Sequence, residues 1–162
     1  MTEVCAITPY SCALACVESI LKDQGVDLSQ QDMLERFSLS FPKWKDHAGL
    51  LVGEDYEPLF ELAGLPVTLS CPATFAETID NVNDPSVIGV ILGTSRFWGD
   101  PSRKTLIDCW HALRILSADK HGVTTMNPVL RPGPVVIEKY GWEVIESFMS
   151  QPLVFKRKNS NV

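Results

Sequence analysis

No stretch of the 162-residue chain is apolar over the ~18 to 20 residues that a bilayer span requires, so no membrane helix is expected. The N-terminus carries no basic region ahead of an apolar stretch, so no Sec-type signal peptide is expected; a dedicated export machine needs no such signal. Basic residues are the minority, 14 Lys and Arg against 20 Asp and Glu. With no basic patch, a nucleic-acid partner is not expected. The cluster Lys156, Arg157, Lys158 is read as the start of a solvated polar tail over about 157–162. There is no C-x-x-C and no H-x-x-x-H pair, so Cys12 and Cys16 lack the second half of a zinc site. Five cysteines occur, Cys5, Cys12, Cys16, Cys71 and Cys109. The odd count and the spacings form no disulfide framework, and free thiols in a reducing compartment are expected. Internal repeats and low-complexity tracts are absent.

What is present is an ordinary globular composition, 45% hydrophobic and 21% charged, at a length that suits one domain with a single core over 1–162. Ser11 reads as an N-cap, and the apolar spacing Leu14, Ala15, Val17, Ile20, Leu21 predicts a helix over 12–24 that Gly25 closes. Ser29 with Asp32 resembles a capping box for a second helix through Phe37. A third helix is predicted over 55–63, a strand over 66–70, a short helix over 75–82 and a buried strand over 87–92. Residues 95–108, with Trp98, Gly99 and Pro101, read as an insertion loop. Strands at 109–116 and 123–126 flank a turn at 119–122. A proline-rich link at 131–134 precedes a helix at 142–149 and a strand at 153–156. Helices first and an antiparallel sheet second is an α+β order.

Three residues stand out chemically. Cys12 opens a long helix, where unpaired N–H groups and the helix dipole favour a thiolate. Taken alone it also reads as a buried, inert thiol, and Cys16, one turn further on, reads that way more strongly. His111 lies in an apolar strand and needs a polar partner if buried. Asn127 with Pro128 is a turn signal, yet a hairpin turning at 119–122 brings Asn127 back beside His111, where its carbonyl oxygen can hold one imidazole tautomer. His121, at a turn, and His47, in a loop, read as solvated.

Together these segments resemble the bacteriocin-processing, double-glycine leader peptidases, a branch of the papain-like cysteine peptidases. Residues 10–17 (YSCALACV) are similar to that family's active-site segment, where a helix begins on a Cys and a second Cys often follows four residues later. Residues 20–25 (ILKDQG) are similar to its helix end, 110–116 (WHALRIL) to its histidine strand, Asn127-Pro128 to its Asp/Asn-Pro turn, and 142–155 to its closing helix and strand. Two positions depart from the pattern: Ala13 stands where the family has Gly, and Cys5, Ala6 and Ile7 stand where it has a Gln that binds the oxyanion.

The resemblance implies a papain-like α+β fold with a helical half and an antiparallel sheet. It implies a Cys12-His111-Asn127 triad, no metal or organic cofactor, and cleavage of protein or peptide substrates after Gly-Gly. Cys12 N–H would then be one oxyanion donor, with Thr8 and Tyr10 the nearest side-chain donors, and Trp98 and Trp110 would be candidate walls of a glycine slot. Trp110, adjoining His111, is expected on the opposite strand face. Asn127→Asp is expected to keep much of the activity, since a carboxylate accepts the same hydrogen bond. The biological settings are an interbacterial toxin domain with an immunity protein, acting in the target-cell cytoplasm, or a leader-processing peptidase of a peptide exporter. A substrate-binding module without catalysis and an acyl transferase are the competing classes.

Overall fold

The computed structural model describes residues 2–8, 10–40, 53–100, 105–128, 135–148 and 150–158. Among these, five helices and six strands follow one another as α1 (Cys12–Asp23), α2 (Gln30–Ser40), α3 (Gly53–Leu62), β1 (Val67–Ser70), α4 (Phe75–Asn83), β2 (Val87–Asp100), β3 (Thr105–Asp119), β4 (Gly122–Asn127), β5 (Val136–Gly141), α5 (Trp142–Ser147) and β6 (Gln151–Arg157). The strands form one antiparallel sheet in the order β1-β6-β2-β3-β4-β5. The α+β class read from the sequence is therefore the observed one.

Each face of the sheet is covered by helices. On one face Leu14, Val17 and Ile20 of α1, Met33 and Phe37 of α2, and Tyr56, Leu59 and Phe60 of α3 pack on Val67, Ile91, Ala112, Met126 and Phe155. On the other, Ile145 and Phe148, with Phe75 and Trp142 against them, pack on Val90, Leu92, Leu113 and Tyr140. Each large apolar side chain so buried contributes about 1.5–3 kcal/mol. Burial on both faces explains why the run 87–92 is continuously apolar instead of alternating. The Ser29 and Asp32 side chains do form the capping box of α2: Asp32 N–H donates to Ser29 Oγ at 3.1 Å and Ser29 N–H to Asp32 Oδ2 at 3.2 Å.

Two devices seat α1, and with it Cys12. A Cβ on Gly89 of β2 would stand 2.5 Å from Ile20 Cδ1, so only glycine lets the helix lie this close to the strand. At the far end of α1, the buried Arg114 of β3 donates to Ser19 Oγ and to Asp23 Oδ2, the latter at 2.7 Å. Burial pushes the Asp23 carboxyl up, but the Arg114 guanidinium more than offsets this and holds it below its ordinary value.

The structure corrects several expectations. Ser95–Asp100 and Thr105–Asp108 are not an insertion loop but the ends of β2 and β3, paired as Arg96↔Asp108, Phe97↔Ile107 and Trp98↔Leu106. The strand β5 has no counterpart in the sequence reading. Lys156 and Arg157 lie within β6, with Lys156 Nζ 2.9 Å from Asp84 Oδ2 and Arg157 donating to Gln24 Oε1 at 2.8 Å, so the tail does not start at 157. The proline-rich link 131–134 lies outside the described residues. Among the described residues, no helix is long and apolar enough to cross a membrane.

Candidate active site

Cys12 is the first residue of α1 and is buried. It lines a cleft of about 470 Å³ together with Tyr10, Tyr56, Trp110, His111 and Gln151. Ser11 precedes the helix but caps it unconventionally. Its hydroxyl makes no capping bond to α1; instead it accepts from Ile7 N–H and Thr8 N–H, each at 3.0 Å. Ser11 thus folds the chain before the cysteine into a tight turn. Gln30 holds the same segment from the other side. Its carboxamide accepts from Ile7 N–H at 3.2 Å and donates to Cys5 O at 2.8 Å.

Burial pushes the Cys12 thiol above its ordinary value, and backbone hydrogen bonds from Ala112, Ala13 and Cys12 itself oppose the rise only in part. The helix start alone leads to the opposite expectation, a favoured thiolate. Desolvation outweighs the dipole because the sulfur sits in the wall between helix and sheet rather than at an open helix end. The Ala112 amide belongs to the residue after His111, so β3 brings the histidine segment against the thiol. Cys16 is fully buried, donates to Ala112 O at 3.7 Å, and has its thiol raised further, burial again the leading cause. It is a packing residue, as its sequence position indicates.

His111 lies on β3 opposite Thr94 of β2. Its Nε2 is 2.7 Å from Asn127 Oδ1, on the end of β4. The hairpin that turns at Asp119 to Gly122 therefore pairs these two side chains as the sequence spacing suggests. Burial lowers the His111 pKa from its ordinary 6.5 to about 4, against the raising effect of the Asn127 hydrogen bond. At neutral pH the cleft is thus lined by a thiol and a neutral imidazole, and the imidazole can accept a proton. Because the unfolded chain takes up this proton first, the stability linked to His111 is full above about pH 6.5 and is lost as pH falls through about 4. An NMR titration of the His111 ring is expected to give a midpoint near pH 4; a midpoint near the ordinary value would show that the ring is solvated.

Trp110, His111 and Ala112 all line the cleft. The register shifts beside them: Thr94 pairs with His111 and Arg96 with Asp108, so β3 carries one extra residue there. Trp110 is 74% exposed and Tyr10 53%, and they form an aromatic rim. Thr8 is not among the cleft residues; its hydroxyl accepts from Tyr10 N–H at 3.3 Å. Tyr56, which no motif singles out, lines the cleft while almost wholly buried. Burial, then the nearby Cys16 and Cys12 thiols, hold its phenol well above the ordinary value, so it stays an O–H donor. The signal available for it is its helical phase with Leu59 and Phe60, which marks burial and not chemistry.

His121 is exposed at the β3–β4 turn. His47 and the Trp98 side chain lie outside the described residues. Among the described residues, no group of three or more His, Cys, Asp or Glu side chains is arranged to hold a metal ion. No protein-family model and no curated protein sequence matches the chain.

Proposed function

We propose that the chain is a papain-like cysteine endopeptidase with Cys12 as nucleophile, His111 as general base and Asn127 as the group that orients it. The observation that carries the reading is the 2.7 Å contact between His111 Nε2 and Asn127 Oδ1 in the wall of the cleft that Cys12 also lines. With Nε2–H donated to Asn127, Nδ1 carries the lone pair that takes the thiol proton. Thiolate attack on a peptide carbonyl gives a tetrahedral oxyanion, and the imidazolium protonates the leaving amine. Water then releases the acyl group from Cys12. Cys12 N–H, at the helix N-terminus, is one oxyanion donor. Tyr56, Tyr10, Gln151 and the Trp110 indole are the neutral side-chain donors lining the cleft from which a second oxyanion donor would come in place of the upstream Gln. The setting implied by the resemblance is a bacterial toxin domain neutralised by an immunity protein; a neighbouring immunity gene supports it, and a neighbouring exporter gene supports leader processing instead.

The proposed cleavage follows Gly-Gly. Gly53 and Gly93 line the cleft and Trp110 and Tyr10 stand at its rim, which suits a substrate backbone without Cβ atoms. If the proposed slot admits only backbone without Cβ atoms, replacing Gly-Gly by Ala-Ala before the scissile bond overpacks it, costing ~1 to 3 kcal/mol or about ten- to a hundred-fold in turnover. Paired peptides measure this directly, and equal turnover of the two rules out the slot.

A further inference from the structure

Behind Asn127 lies a second buried side chain that the triad does not include. Asn127 Nδ2 donates to Glu138 Oε2 at 3.1 Å, and Tyr140 O–H donates to the same oxygen. Glu138 and Tyr140 stand on β5, which pairs with β4 in the register Thr125↔Glu138 and Val123↔Tyr140. Asn127, Glu138 and Tyr140 are all 5% exposed or less. Burial, followed by the Glu138 hydrogen bond, raises the Tyr140 phenol far above its ordinary value, so it remains a donor.

We propose that Glu138 is a positioning residue that fixes the Asn127 carboxamide, and through it the His111 tautomer. A carboxamide has an acceptor end and a donor end and fits either way round unless a neighbour decides. A carboxylate oxygen, to which Tyr140 O–H already donates, can only accept. It therefore holds the NH₂ of Asn127 toward itself and turns Oδ1 toward His111. An acceptor at that point requires Nε2–H on the ring, which puts the basic lone pair on Nδ1. With the amide reversed, Nε2 would face an N–H, the ring proton would move to Nδ1, and the base would be lost.

The arrangement changes the expectation for Asn127→Asp. An aspartate there sets a second carboxyl beside Glu138, and two carboxylates at ~3 Å cannot both ionise. Asn127→Asp alone is expected to lose activity or fold. Asn127→Asp with Glu138→Gln is expected to regain it. The carboxamide introduced on β5 then turns its NH₂ to the point where Glu138 Oε2 stood, offering one N–H to the carboxylate introduced on β4 and the other to the Tyr140 oxygen.

The kinetic part rests on the peptidase reading, but the tautomer does not. Imidazole ¹⁵N shifts are expected to show Nε2–H in the wild type and a mixture with Nδ1–H in Glu138→Leu, while Glu138→Gln, which keeps an acceptor, stays Nε2–H. In kinetics Glu138→Leu should lower kcat about ten-fold, as removing an orienting partner does elsewhere, with KM little changed. A wild-type ring protonated on Nδ1 overturns the proposal. So does a folded Glu138→Leu that stays wholly Nε2–H. Should Glu138→Leu fail to fold, the Asn127→Asp pair decides: failure of Glu138→Gln to restore it overturns the proposal. The expected tautomers in a chain that cleaves no peptide would leave Glu138's role standing and remove the peptidase reading.

Discussion

Cys12→Ala is expected to abolish peptide cleavage, with a loss on the order of 10⁴- to 10⁶-fold in kcat, the range for deleting a member of a triad. The fold should survive, because the change removes one sulfur at the edge of a cleft and leaves the helix start and Ser11 in place. Cys16→Ala is the contrasting variant. It empties a fully buried site and removes the bond to Ala112 O, which costs about 1 kcal/mol and lowers Tm by about 2–4 °C in a chain of this size. Activity and melting curves of the two variants should therefore separate: one loses chemistry and keeps stability, the other the reverse. Wild-type turnover in Cys12→Ala would remove the nucleophile from the scheme.

His111→Ala is expected to be nearly as damaging, with a loss also on the order of 10⁴- to 10⁶-fold, because nucleophile and base act as a unit and removing either disables both. Among the described residues, the cleft holds no second imidazole. His121 is exposed at the turn between β3 and β4, with its backbone N–H on Asp119 Oδ1 at 2.7 Å, and His121→Ala is expected to behave as wild type. Asn127→Ala should be milder than His111→Ala, because base and nucleophile remain and only the ring's orientation loosens. Initial rates for the three variants on one peptide order them; a dead His121→Ala beside an active His111→Ala would reassign the base.

How far the sequence can be read depends on whether a residue's role is local. The α1 helix, the Ser29–Asp32 capping box and the hairpin at Asp119 to Gly122 are specified by spacing and turn chemistry within a few residues, and each is legible. The juxtaposition of His111 with Asn127 follows from that hairpin alone. The long ends of β2 and β3 are not legible, because Ser95–Asp100 and Thr105–Asp108 carry loop-like polar residues and gain their strand form from cross-strand pairing. The register shift beside Trp110 is not legible either, because alternation assumes a regular strand and β3 carries one extra residue opposite Ser95. The state of the Cys12 thiol is hidden because a helix start reveals its dipole but not how deeply the sulfur is buried. Tyr56 and Glu138 have no motif to mark them. They reach the site from α3 and β5, 44 and 126 residues from Cys12 in the chain, and only the packed sheet and helices bring them there.

The central claim is that Cys12 cuts polypeptide chains at a defined motif, and one measurement addresses it without a known substrate. Wild type and Cys12→Ala are each incubated with a bacterial proteome, and new N-termini are mapped by mass spectrometry. A set of new N-termini found with the wild type alone and preceded by Gly-Gly is expected; identical N-termini in the two samples would show that Cys12 cuts none of them.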